Sequence, residues 1–292
     1  MRRRGVLVVF LLMTTSLETA LTAEKKVETF KAYADSDLCA HLMLGPISPE
    51  RIECSRTTYK QGSEPLLVRL QDSTLFEVNK QKMLKEVIGE LVEVTGETNE
   101  NDGRIKLQTV KSVPQTSIAP GTPGSELLDV RLYRTTGAAR AKMVEQIRHE
   151  LAMMPYISEF DYISFAMLGN RVILSGWTVR ITNRSTAYNL VKRIEGVEQV
   201  VNNIDVLPLG SFDMQIRAGA RAKLQQFLGR YFWGSGSAIK IVVKNGDIIL
   251  LGVVSTKADS DLANIQCNSV TGAFHVFNML KVAPDTGGKK KG

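Results

Sequence analysis

Three residues near the N-terminus have the types and spacing to do chemistry: Cys39, His41 and Cys54. Two thiols fifteen residues apart can close a disulfide, and with an imidazole beside them they can also offer soft and borderline ligands to zinc. Three states are open to the pair: a disulfide, a metal set of Cys39, His41 and Cys54, or two free thiols. In an oxidising compartment the disulfide is favoured and would stabilise the fold by about 3 kcal/mol in the chain-entropy picture. The metal set has no fourth ligand and matches no standard finger spacing, so no metal and no cofactor are expected. Cys267 lies on an apolar helical stripe and reads as a core thiol. His149 and His275 are far from His41 in the chain, and no spacing joins any histidine to an orienting acid. The chain has no Gly-x-Ser-x-Gly elbow, no phosphate loop, no Cys-x-x-Cys and no His-Glu-x-x-His, so its residues favour binding over catalysis.

The elements that must position these residues fall into several units. Met1 to Gly5 is basic, Val6 to Met13 is apolar, and small residues lead to Ala23. That three-zone order predicts a cleaved secretory signal over 1–23 and a periplasmic or secreted protein. Loss of Arg2, Arg3, Arg4 and Glu18 takes the formal net charge from +7 to +5. Lys289, Lys290 and Lys291 account for three of the remaining charges, in a basic tail over 284–292. The rest is close to balanced, which argues against a nucleic-acid binder with its concentrated basic face.

Residues 24–113 read as a small barrel. Glu28 to Ala34, Pro65 to Leu70, Thr74 to Val78, Leu91 to Thr95 and Arg104 to Val110 have strand composition, and Gln81 to Ile88 has the spacing of one short helix between the third and fourth strands. That order suits an OB-like five-stranded barrel. Tyr59 and Phe76 are its main candidates for exposed aromatics. The proline- and glycine-rich stretch 114–126 reads as a linker.

Residues 127–208 and 209–283 are two copies of one unit, since Gly169 to Val206 overlays Asn245 to Val282 at an offset of 76 without a gap. Each reads helix, strand, strand, helix, strand. The first has a helix from Ala138 to Met153, a hairpin at Tyr162 to Met167 and Val172 to Trp177, a helix from an N-cap pair Thr182-Asn183 to Glu195, and a strand at Val200 to Leu207. The second offers Asp213 to Phe232, Ile239 to Lys244, Asp247 to Val253, Lys257 to Val270 and Phe274 to Val282. The fold class is therefore α+β, with two small sheets each carrying both helices on one face, preceded by a β-barrel. Gly176 and Gly252 end equivalent strands, where a side chain would crowd a packed helix or the backbone needs positive φ.

The strings Val172-Ile173-Leu174-Ser175-Gly176, Ile248-Ile249-Leu250-Leu251-Gly252 and Glu195-Gly196-Val197 to Val206 resemble the BON domain of exported bacterial proteins. The second copy keeps one asparagine, Asn278, of the family's Asn-rich final strand. The N-terminal region resembles small secreted barrels with a Ser-Asp-x-x-Cys loop, here Ser36 to Cys39, with Thr58 where another cysteine often stands. The BON resemblance implies a non-catalytic role, with an anionic phospholipid or an envelope surface as the expected partner. Arg230, Phe232 and Trp233 are expected lipid contacts because an arginine beside aromatic rings suits the headgroup region, and Arg217 and Arg221, one helical turn apart, are expected to present adjacent charges to phosphate. The other reading is a periplasmic scaffold that binds a protein partner through a sheet edge or apolar patch.

Overall fold

The computed structural model describes residues 26–99, 103–114, 137–233 and 237–284. The expected signal segment lies outside them, as do nearly all of the expected linker and basic tail.

Five strands close the barrel: β1 (Lys26–Ser36), β2 (Pro65–Arg69), β3 (Leu75–Val78), β4 (Leu91–Asn99) and β5 (Arg104–Ser112), in spatial order β1-β2-β3-β5-β4. All neighbours are antiparallel except β3 and β5. Along β5 the inward Ile105 and Leu107 alternate with exposed neighbours, the period a half-buried strand requires. They meet Phe76, Val92 and Val94 inside the barrel. Phe76 is thus core, and Tyr59 packs against the same cluster, which corrects their reading as exposed aromatics. The helix expected over 81–88 is only a 3-10 turn, Gln81–Leu84, whose Leu84 plugs the barrel.

The helices of this unit instead lie between β1 and β2: α1 (Asp37–Leu42) and α2 (Pro49–Lys60). Ser36 caps α1 by accepting the Cys39 N–H, and Ser48 caps α2 with proline in its first turn. α1 is too short to show a period. α2 buries Arg51, Ser55 and Thr58 rather than an apolar stripe, so hydrophobic periodicity misses both. Cys39 and Cys54 are joined in a disulfide that ties α1 to α2. Arg51 holds α2 on β1 by donating from Nε and Nη2 to Oδ2 of buried Asp35, whose Oδ1 accepts the Ser55 hydroxyl.

The first repeat comprises α3 (Ala138–Ala152), β6 (Tyr162–Leu168), β7 (Arg171–Thr178), α4 (Ile181–Lys192) and β8 (Gln199–Val206), with sheet order β6-β7-β8. The second comprises α5 (Ser211–Leu228), β9 (Ile239–Lys244), β10 (Asp247–Val254), α6 (Lys257–Asn268), β11 (Val276–Asn278) and β12 (Lys281–Val282). β11 and β12 both run parallel to β10, so the single final strand expected over 274–282 is divided. α4 has no side-chain cap; Asn183 is buried and donates to Tyr156 O, so the Thr182-Asn183 cap is not formed.

Two repeated residues have repeated geometry. Gly176 and Gly252 have φ of +121° and +114°, and a Cβ on either would lie 2.0 Å from the carbonyl oxygen of Tyr162 or Ala238 on the neighbouring backbone segment. The obstacle is the adjacent backbone, not a packed helix. Asn202 donates to Arg184 O and accepts from Ile204 N–H; Asn278 likewise donates to Ser260 O and accepts from Leu280 N–H. Each asparagine fastens its final strand to the second helix of its own unit.

The two central strands are buried on both faces. Val172 and Leu174, and Ile248 and Leu250, face their own helices. The opposite faces contribute Trp177 from β7 with Ile249 and Leu251 from β10 to a further core, which Val242, Leu207, Phe277 and the barrel's Leu38 complete. The helix-free faces of both sheets therefore close over α1.

Candidate functional site

α1 carries the polar residues of this junction. With Asp37 at the helix start and His41 four residues on, both side chains fall on one face. The His41 ring lies against Trp177, with centroids 4.6 Å apart and planes tilted by 49°, and its Nδ1 lies 2.7 Å from Ser175 Oγ. Its Nε2 lies 3.5 Å from Asp37 and 3.3 Å from Asp205 of β8. Lys244, the last residue of β9, places Nζ 3.1 Å from Asp37, 3.0 Å from Asp205 and 3.3 Å from Glu77 of the barrel. All three units thus contribute charge to one cluster. Asn203 of β8 adds neutral bonds to the barrel, donating to Ser73 O and accepting from Leu75 N–H.

Burial pulls the His41 pKa down, but the charge of Asp205 and hydrogen bonds to Asp205 and Asp37 outweigh it and lift the imidazole to about 9. Burial likewise works against the Lys244 ammonium, and Asp37, Asp205 and Glu77 overcome it, holding the group well above its ordinary range. For Asp37 and Asp205, burial favours the neutral acid, yet Lys244 and His41 hold both carboxyls below their ordinary range. One contact points the other way: Gly176 N–H approaches His41 Nδ1 at 3.3 Å, as if that nitrogen were an acceptor. Two nearby carboxylates outweigh one long amide contact, so the charged imidazole donates to Ser175 Oγ.

Ser175, His41 and Asp205 have the connectivity of a nucleophile, base and orienter. The chemistry does not follow. Ser175 is fully buried, His41 is 1 % exposed, and an imidazole held charged to about 9 cannot accept a proton at neutral pH. The adjoining cavity, about 130 Å³, touches Asp37 and Lys244 but neither His41 nor Ser175. Ligand atoms of Asp37, His41 and Asp205 also lie within 4.8 Å of one another, close enough to share an ion. The Lys244 ammonium already bridges the two carboxylates, as a bound cation would. The cluster joins domains. His41 serves it, rather than a metal set with Cys39 and Cys54, whose sulfurs are bonded to each other.

The expected lipid contacts do not form one patch. Arg217 is buried and donates to Pro208 O and Val243 O, so it does not present a charge beside Arg221. Arg221 pairs with Glu159 at 2.7 Å. Arg230 pairs with Asp259 and lies over the Tyr231 ring. Phe232 is half-buried against the second repeat's core, whereas Trp233 is 79 % exposed. Cys267 is buried and its thiol is pushed up to about 12 by burial, as a core thiol should be.

A family model described as BON domain matches residues 142–208 and 217–284. No curated protein is similar to the chain. Two solved structures of CdsD, a structural protein of the type III secretion system of Chlamydia trachomatis, align at 11 % identity and a TM-score of 0.21. One, its C-terminal domain, covers 49 % of this chain and 98 % of its own; the other covers 50 % and 94 %. A TM-score that low carries no argument about this chain.

Proposed function

We propose that this protein, whose chain carries two BON domains in tandem, is a non-catalytic binding module of the cell envelope that recognises another polypeptide. The observation that supports it is the shared core around α1, sealed by His41, Asp37, Asp205 and Lys244. It fixes the barrel and both repeats against one another, so that they offer composite surfaces no single unit has. Export rests on the three-zone N-terminal sequence over 1–23.

A second reading, contact with anionic phospholipid, is favoured by Trp233. This exposed ring follows Arg230, whose guanidinium remains about half-exposed at the same corner. Of the other expected contacts, Arg217 and Arg221 have internal partners.

Retention on envelope fractions distinguishes the two. The chain from residue 24 is sedimented with salt-washed envelopes before and after protease treatment, and with phosphatidylglycerol and phosphatidylcholine vesicles at low and high salt. A polypeptide partner predicts retention that protease abolishes and that protein-free vesicles do not reproduce. Salt-sensitive binding to phosphatidylglycerol vesicles, lost in an Arg221→Ala, Arg230→Ala, Trp233→Ala variant, would instead establish the lipid reading.

A further inference from the structure

A groove between units runs along an open sheet edge. β10 is paired with β9 on one side and with β11 and β12 on the other, and β11 has β10 as its only strand neighbour among the described residues. Ile248 N–H donates to His275 O, and Met279 N–H donates to Leu250 O. In a parallel ladder the residues between these contacts turn their N–H and C=O the other way, so those of Val276 and Asn278 point away from β10. They point into a groove of about 820 Å³, with α2 of the barrel as one wall and Asn264 and Asn268 of α6 as the other. Its volume can be compared with that of an extended strand. At about 4.8 Å between strands and about 10 Å through a sheet, 820 Å³ corresponds to about 17 Å of length, or about five extended residues.

The charge of the slot is one-sided. Glu50 and Glu53, one turn apart on the exposed face of α2, line it, and no lysine or arginine does. The aromatic floor includes Phe277, buried, and Phe274, 66 % exposed. The geometry points to this groove as a β-addition site, in which an extended peptide carrying lysine or arginine pairs with the β11 edge and sets its cations against Glu50 and Glu53. Backbone pairing would provide affinity, and the two carboxylates would select basic segments over acidic ones. This deepens the polypeptide-binding reading above and rests on it. It also requires the barrel, because the acidic wall belongs to α2 and the edge to the second repeat.

The test measures fluorescence anisotropy of a capped peptide of about eight residues, alternating lysine and valine, against the processed protein. The same measurement is made with a glutamate–valine counterpart. The lysine peptide is expected to bind and the glutamate peptide not to bind. Glu50→Lys with Glu53→Lys, both exposed, should weaken the lysine peptide at least about tenfold at low salt. Val276→Pro removes a donor that points into the slot without removing a β10 backbone contact and should weaken the lysine peptide comparably, whereas Val276→Ala, which loses the same core packing but keeps the N–H, should not. Equal affinity in the charge-reversed protein, or no binding of the lysine peptide to the wild type, overturns the site. The envelope assay separates this from failure of the broader reading. Protease-sensitive retention that the Glu50→Lys, Glu53→Lys variant leaves intact removes the groove but leaves a polypeptide partner elsewhere. Loss of protease sensitivity removes both.

Discussion

His41 makes the stability of the domain junction depend on pH in a direction opposite to that of a simple buried histidine. Folding carries its imidazole from the ordinary 6.5 to about 9, a difference that corresponds to roughly 3 kcal/mol at about 1.4 kcal/mol per tenfold. The unfolded chain releases this proton near 6.5, whereas the folded protein keeps it until about 9. The stabilisation is therefore complete below about 6.5 and is lost as pH rises through about 9. The carboxylates that raise His41 are themselves held down by it, so this figure describes the coupled cluster and is not added to separate values for Asp37 and Asp205. Trp177 reports the event directly, because the His41 ring lies against it. The chain has two tryptophans. Replacing exposed Trp233 with phenylalanine leaves Trp177 as the sole tryptophan, excited selectively over the tyrosines at the red edge of the absorption band. Urea unfolding of that protein and of its His41→Gln derivative, followed by Trp177 emission from pH 5.5 to 9.5, should give stability curves about 3 kcal/mol further apart at the acidic end than at the basic end. Curves that stay parallel would refute the charged imidazole and assign Nδ1 as the acceptor of Gly176 N–H.

Three other outcomes follow from the same geometry. Lys244→Met leaves Asp37 and Asp205 facing each other with only His41 between them, and should lower stability by about 3 kcal/mol in chemical denaturation at pH 7. Gly176→Ala or Gly252→Ala forces a Cβ into a backbone carbonyl at positive φ and should cost at least about 3 kcal/mol, whereas Gly169→Ala, with open space at its Cβ, should cost about 1 kcal/mol. Cys39→Ala with Cys54→Ala opens a loop with a separation of 15 residues and should lower the stability of the barrel unit by about 3 kcal/mol, comparable to reduction of the wild type.

Much of the fold is local enough to be written in the chain. The repeat at an offset of 76, the order of elements in each copy and the five barrel strands follow from side-chain periods of about two and 3.6 residues, which each segment carries by itself. The repeated Gly176 and Gly252, and Asn202 and Asn278, could be recognised as equivalent before their geometry was known. A further signal was present but indirect. Val172-Ile173-Leu174 and Ile248-Ile249-Leu250-Leu251 do not alternate with polar residues, which is the mark of strands covered on both faces. What covers the second face is not a local property. The helices α1 and α2 escaped the apolar period because one is six residues long and the other buries Arg51, Ser55 and Thr58. The Ser48-Pro49 start of α2 is a local signal that could have found it, and it was not read as one.

The junction itself was decided by tertiary structure. Asp37, His41, Asp205 and Lys244 are separated by up to 207 residues, and nothing in their spacing distinguishes them from solvated surface charges. They become partners because both sheets close over α1 and exclude water, and it is water exclusion that makes their charges matter. Arg217 shows the same limit from the other side: the helical spacing that suggested a charged surface pair with Arg221 could not reveal that its guanidinium would be enclosed among the carbonyls of Pro208 and Val243. Sequence period determines which elements form and which face is apolar; which residues of different elements meet, and in what dielectric, is determined by packing alone.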